Sequence, residues 1–283
     1  MKVVFMGTSS FALPALEVLA ENNLDIVCVY TQPPRRAGRG KRMQKSPVGQ
    51  YALEHNLNLL YPKSFYSLSD INILKDLKPD LVLVVAYGLI LPKKLLTIPK
   101  FGFFNVHASL LPRWRGAAPI QRALLSDDKK TGVSIIKLEP SLDTGPIVFE
   151  SQLKIQKTDN AGSLHDKLSL IGADLTTQLF TNIENLCFTK QSAEGITYAK
   201  KVEKWETQID WDVDAETVSR QIRAFSPSPG AWFQNGTNRI KIWKAQIENT
   251  RGKVGEVLDD YLTISCVDGA IKILELQKEG KKK

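Results

Sequence analysis

The chain has 283 residues, 43% of them hydrophobic and 24% charged, which suits one large domain, or a large one with a small one, and excludes a disordered or collagen-like chain. Its three cysteines, Cys28, Cys187 and Cys266, lie in unrelated segments and support neither a zinc site nor a disulfide framework. The net charge is +8, with 24 basic against 17 acidic residues in 1–200 and 14 against 13 in 201–283.

Val3 to Met6 is a short β-rich apolar run ending in Gly7-Thr8-Ser9-Ser10, after which Leu13, Leu16, Val18 and Leu19 recur at helical spacing. A strand starting this early leaves no room for a signal or transit peptide, so the expected address is the cytosol. Ile26 to Tyr30 is the next strand. Arg35, Arg36, Arg39, Lys41, Arg42 and Lys45 then place six positive charges and no negative one in eleven residues. Gly38 and Gly40 bracket Arg39, so this segment reads as a mobile cationic loop suited to a phosphate backbone.

Helices are predicted over Pro47–His55 and Ser69–Leu77, and strands over Leu57–Leu60 and Leu81–Ala86. The latter is apolar throughout, as in a strand buried on both faces. The longest apolar run, Leu81 to Tyr87, is far short of the roughly 20 residues of a membrane helix. Phe103–His107 is a further strand, Ala117–Leu125 a helix, Val133–Leu138 a strand and Ser163–Ile183 a long amphipathic helix. Alternating strands and helices predict an α/β fold with a doubly wound, mainly parallel sheet, whose ligand crevice lies outside the carboxyl ends of the strands.

The pattern then changes. One helix, Ala215–Ala224, is followed by short β-like runs at Arg239–Trp243, Val254–Leu258, Leu262–Cys266 and Ala270–Leu276, with turns at Asn235-Gly236 and Asp268-Gly269. This predicts a smaller C-terminal OB-like β-barrel, or a sandwich. The expected organisation is a catalytic domain over 1–190, a linker over 191–204 and a C-terminal domain over 205–283.

Of the three histidines, His55 and His165 fall in helical patterns, whereas His107 ends a strand two residues after Asn105, so both side chains leave one face at the carboxyl end. Asp143, in Leu142-Asp143-Thr144-Gly145, directly follows the next strand. An amide, an imidazole and a carboxylate converging at strand ends could polarise an acyl oxygen, move a proton and orient the histidine. No cysteine or G-x-S-x-G serine accompanies them, which favours direct transfer between two bound substrates over a covalent acyl-enzyme.

Asn105-Val106-His107-Ala108-Ser109-Leu110-Leu111-Pro112, the following RWRGAAPIQ and Leu142-Asp143-Thr144-Gly145 resemble the signature of the folate-dependent formyltransferases. Three further blocks, TQPPRRAGRG from Thr31, AYGLILP from Ala86 and the terminal LQKEGKK, resemble the branch of that family whose acceptor is a charged initiator tRNA. The resemblance covers essentially the whole chain. It implies a Rossmann-like catalytic domain, 10-formyltetrahydrofolate as co-substrate, no metal, and a monomer acting on methionyl-tRNA in translation initiation. Asn105, His107 and Asp143 then match the catalytic residues. Ser109, Leu110, Leu111 and Pro112 match a folate-contacting loop, and backbone groups of Tyr87, Gly88, Leu89 and Ile90 are placed for the pterin edge. Asn105 and His107 are expected to stabilise the tetrahedral oxygen, and either His107 or Asp143 to receive the amine proton. Arg35, Arg36, Arg39, Lys41, Arg42, Lys45, Arg239, Lys241 and Lys244 are the expected RNA contacts. Relatives commonly continue past the Gly-Lys-Lys sequence into a tail.

Overall fold

Buried from Val3 onward, β1 (Lys2–Gly7) leads through a 3-10 turn into α1 (Leu13–Glu21), where Pro14 in the first turn costs no hydrogen bond. These opening elements belong to a computed structural model that describes residues 1–37, 40 and 42–281. β2 (Asp25–Tyr30) follows, then two short strands, β3 (Arg35–Ala37) and β4 (Arg42–Gln44). α2 (Pro47–Glu54) is capped by Ser46, whose side chain accepts from the Gly49 amide, and leads to β5 (Leu59–Leu60). α3 (Leu68–Asp76) is capped in the same way by Ser67. β6 (Leu81–Val85), with every residue buried, α4 (Lys93–Leu96) and β7 (Gly102–His107) come next.

The remaining elements are β8 (Arg115–Gly116), α5 (Pro119–Leu125), β9 (Lys130–Lys137), β10 (Ile147–Lys154), α6 (Ala161–Thr181), β11 (Tyr198–Ala199), α7 (Ala215–Phe225), β12 (Ala231–Asn235), β13 (Asn238–Glu248), β14 (Thr263–Ser265) and β15 (Ala270–Lys278). A seven-stranded sheet runs β10-β9-β7-β6-β1-β2-β5. β5, β2, β1, β6 and β7 are parallel, and β9 lies antiparallel beside β7. The carboxyl ends of the parallel strands therefore lie on one edge, and that edge carries Asn105 and His107. On one face, Val4, Met6, Cys28, Tyr30, Val82 and Phe103 pack with Phe65, Ile71 and Leu74.

The chain divides into two compact units. One is Met1–Ala117, Gly132–Leu153 and Asp166–Tyr198, and contains the large sheet; the other is Ala118–Thr131, Lys154–His165 and Ala199–Lys283. In the second, α7 buries Val218, Ile222 and Phe225, and α5 packs against it. Its four-stranded antiparallel sheet has the order β12-β13-β15-β14, and the β13–β15 pairing slips around Lys244, which bends the strand.

Several expectations are corrected. β3 and β4, within the stretch read as a loop, pair as an antiparallel ribbon with Arg35 opposite Gln44 and Arg36 opposite Met43; the expected RNA contacts Arg39 and Lys41 lie outside the described residues. Val254–Leu258 is no strand. Gly255 sits at φ 77°, Val254 and Val257 are exposed, and the segment contributes only a bridge between Val257 and Ile264. β10 and β12 were not expected. β10 alternates half-buried with exposed residues at the sheet's edge, with Glu150, Gln152 and Lys154 masking its apolar positions, and β12 is only five residues long, directly after Pro-Ser-Pro-Gly.

Candidate active site

Asn105 and His107 project from the same side of β7. Beyond β9 the chain reverses through Leu142-Asp143-Thr144-Gly145 before entering β10. Asp143 takes a left-handed conformation, φ 51°, which Asp tolerates better than most residues. Gly145 passes so close to β9 that a Cβ would overlap the Lys137 carbonyl oxygen. This turn brings the Asp143 carboxylate back to β7. Asn105 Nδ2 donates to Oδ1 at 3.4 Å, His107 Nδ1 stands 3.7 Å from Oδ2, and the Gly116 amide donates to Oδ2 at 2.8 Å. His107 is 5% exposed and Asp143 8%, so their interaction is screened little by solvent.

The other imidazole nitrogen, Nε2, lies 2.8 Å from the Trp114 carbonyl oxygen. A carbonyl only accepts, so Nε2 carries a hydrogen and Nδ1 is the nitrogen turned toward Asp143. Trp114 has φ 65°, rare for a bulky side chain. It is held there by its amide donating to Thr197 Oγ1 at 2.9 Å and by the Arg113 guanidinium 4.4 Å above its ring. The sequence suggested His107 as a donor to the developing oxyanion. In the structure its Nε2–H points to the chain's own carbonyl. Of the two hydrogens on Asn105 Nδ2, one goes to Asp143, which leaves the second for an acceptor in the crevice.

Behind this cluster lies a contact with no local sequence signal. Gln191 Nε2 donates to the Asp143 and Gly145 carbonyls, both at 2.8 Å, and its Oε1 accepts from Arg115 Nε at 3.1 Å and Nη2 at 2.7 Å. Gln191 fell in the expected linker. It is a buried amide among exposed neighbours, a feature that only the fold reveals.

The Ser109–Pro112 loop is fixed from below. Ser134 Oγ accepts from the Leu111 amide at 3.1 Å and lies 2.8 Å from the Ser109 carbonyl, while Ser109 Oγ donates to the Arg113 carbonyl at 2.6 Å. Ser109 and Leu111 are buried, and Leu110 and Pro112 half-buried. After β6, Ala86 and Gly88 both have positive φ, 47° and 78°, and a Cβ on Gly88 would strike Gln32 Nε2. The Tyr87 ring is buried and its carbonyl accepts from Thr8 Oγ1 at 2.9 Å and Gln32 Nε2 at 3.0 Å. A ligand at this turn therefore meets Gly88, Leu89 and Ile90, of which Ile90 is 75% exposed.

Among the expected RNA contacts, Arg35, Arg36, Arg42 and Lys45 are exposed on or beside the ribbon. In the second unit Arg239 lies 3.8 Å over the Trp232 ring. Lys241 Nζ donates to the Pro229 carbonyl at 2.6 Å, and Lys244 is exposed. Burial pushes the Cys28 thiol up to about 12, so it supplies no thiolate at neutral pH. Among the described residues, no group of His, Cys, Asp and Glu side chains is arranged to hold a metal, and no helix is long and apolar enough to cross a membrane.

Comparisons with known proteins identify the family. The formyl transferase family matches residues 1–178, and the formyl transferase C-terminal domain matches residues 201–283. The methionyl-tRNA formyltransferase of Ruegeria pomeroyi is 45% identical over 281 residues, 99% of this chain and 93% of the relative. That of Brucella melitensis biotype 2 is 44% identical over 289 residues, 100% of this chain and 94% of the relative. Two solved structures share the fold. An N-formyltransferase from Helicobacter canadensis, in complex with folinic acid and dTDP-3-aminofucose, aligns with a TM-score of 0.73 at 21% identity, covering 98% of this chain and 99% of that one. The methionyl-tRNA formyltransferase from Clostridium thermocellum aligns with a TM-score of 0.64 at 20% identity, covering 97% and 99%. The chain belongs to the formyl transferase family, in the branch of the methionyl-tRNA formyltransferases.

Proposed function

We infer that the chain transfers the formyl group of 10-formyltetrahydrofolate to the free amino group of methionine on charged initiator tRNA, in the cytoplasm and as a monomer. The observation that carries this reading is the Asp143 carboxylate, anchored by the Gly116 amide and facing both Asn105 and His107. The amine attacks the formyl carbon, and negative charge develops on the formyl oxygen. The second hydrogen of Asn105 Nδ2 stabilises that oxygen, and the low exposure of the cluster makes such a donor worth more than in water. The proton lost by the amine passes to Asp143, directly or through water, or to His107 Nδ1. A proton on Nδ1 produces an imidazolium held between the Trp114 carbonyl and the Asp143 carboxylate, so the chain balances the charge at that point. Collapse of the intermediate breaks the bond to N10 of the folate, which takes the proton back.

The Ser109–Pro112 loop and the Gly88–Ile90 turn hold the folate, each through backbone groups fixed by the contacts above. The groups that carry the chemistry lie within residues 1–190, with Gln191 of the 191–204 segment behind them, and 205–283 bind RNA through Arg239, Lys241 and Lys244, with Arg35, Arg36, Arg39, Lys41, Arg42 and Lys45 gripping the acceptor end. The direct test incubates the protein with 10-formyltetrahydrofolate and either methionyl-tRNA, free methionine, an amino sugar nucleotide or no acceptor. Formyl-methionyl-tRNA as the dominant product supports the reading. Preference for the sugar, or formate release alone, overturns it.

A further inference from the structure

We propose that Gln191, locked by Arg115, is a positioning residue for this reaction: it sets the Asp143–Gly145 turn and thereby the carboxylate that faces Asn105 and His107. The inference rests on the active-site reading given above and adds a residue outside every motif that led to it.

The argument begins with valence. Asp143 and Gly145 are buried, and their carbonyls need donors that water cannot supply there. Gln191 meets both with one NH2 group, at 2.8 Å each. An amide side chain can ordinarily flip and offer its oxygen instead. Here it cannot, because Arg115 is a donor only and engages Oε1 through Nε and Nη2. Arg115 is 7% exposed and Gln191 8%, so reversing the amide would set an oxygen against two carbonyls and an NH2 against a guanidinium in a poorly solvated place. The four hydrogen bonds define a single orientation.

That orientation reaches the reacting groups from two directions. Asp143 holds φ 51°, a conformation that persists only where its surroundings over-determine it, and Gln191 grips the turn on both sides of Thr144. Arg115 is also the residue between Trp114, whose carbonyl faces His107 Nε2, and Gly116, whose amide holds Asp143 Oδ2. The Arg115–Gln191 pair thus ties the segment supplying the backbone partners of His107 and Asp143 to the turn supplying the carboxylate. A displacement of about 1 Å at such a group can cost on the order of 100-fold in rate.

Two substitutions separate positioning from simple support of the fold. Gln191→Glu keeps an oxygen for Arg115 but removes both donors to the turn; Arg115→Lys keeps the charge but removes the fork that fixes the amide. Each is assayed in single turnover alongside wild type, with formyl transfer to methionyl-tRNA as readout and thermal unfolding as control. The expected result is a transfer rate lowered about 10- to 100-fold, with apparent KM for folate and tRNA within about two-fold of wild type. In an Asp143→Asn background, Gln191→Glu should add almost no further loss, because both act through one carboxylate. A folded Gln191→Glu protein with a wild-type rate, or a loss that multiplies with that of Asp143→Asn, overturns the proposal. Should Gln191→Glu not fold, Arg115→Lys decides by the same criteria. A wild type that fails to formylate methionyl-tRNA in this assay indicts the functional reading instead.

Discussion

Asp143 concentrates the chemistry of the site, since one carboxylate meets Asn105, His107 and the Gly116 amide. Replacing Asn105 or His107 with Ala is expected to lower kcat on the order of 100-fold or more while leaving tRNA affinity nearly unchanged, because these contacts act mainly in the transition state. The double variant should lose little beyond the worse single one, which steady-state kinetics and a filter-binding measurement together reveal. The period of two along β7 made Asn105 and His107 legible in the sequence, and the Leu-Asp-Thr-Gly turn made Asp143 legible. What stayed hidden were the groups that hold His107 and Asp143 in place: the Trp114 carbonyl, the Gly116 amide and the Gln191 side chain. These are hydrogen bonds between segments 7 to 48 residues apart, set by chain reversal, and no local pattern of residue types encodes them.

At the scale of elements, the β3–β4 ribbon differs from the loop that its glycines suggested. A two-stranded ribbon is marginal in isolation, but it presents Arg35, Arg36 and Arg42 from defined strand positions. Changing these three to Ala should flatten the dependence of log affinity for tRNA on log salt by about two. An unchanged slope in a salt titration would place the RNA contacts elsewhere. In the second unit, Arg122 on α5 pairs with Glu206, both side chains less than a fifth exposed, and also reaches the Lys200 carbonyl. The Arg122 hydrogen bond holds the Glu206 carboxyl below its ordinary value of 4.5. A lowered pKa in the folded state contributes stability above the unfolded value that is lost as pH falls through the folded one. Glu206→Gln should therefore cost roughly 1–3 kcal/mol at neutral pH, and the difference from wild type should shrink as pH drops below about 4.5. A gap independent of pH in denaturant titrations would count against the pair.

Across the whole molecule, the buried strands of the doubly wound sheet and the helices between them were legible because burial imposes its period on the sequence. The partition of the chain was less so. α5 and the 154–165 segment lie mid-sequence yet belong to the unit built around α7, where the Gly162 amide donates to the Ser226 carbonyl at 3.1 Å and Arg223 Nη1 to the Asp159 carbonyl at 3.2 Å. Reading domains as contiguous stretches cannot reveal this. A fragment of residues 201–283 alone should consequently lack the partner of the apolar α7 face and unfold without a sharp transition, whereas the full chain unfolds cooperatively; calorimetry distinguishes the two. The central claim, that the Asp143 carboxylate works with Asn105 and His107 to move a formyl group onto methionyl-tRNA, is tested most directly by the single-turnover rate of wild type against Asp143→Asn. Asn keeps the size and an oxygen for the Gly116 amide but removes the charge. A rate lowered on the order of 100-fold with tRNA and folate binding intact is the predicted result; a folded Asp143→Asn protein that formylates methionyl-tRNA at the wild-type rate would contradict it.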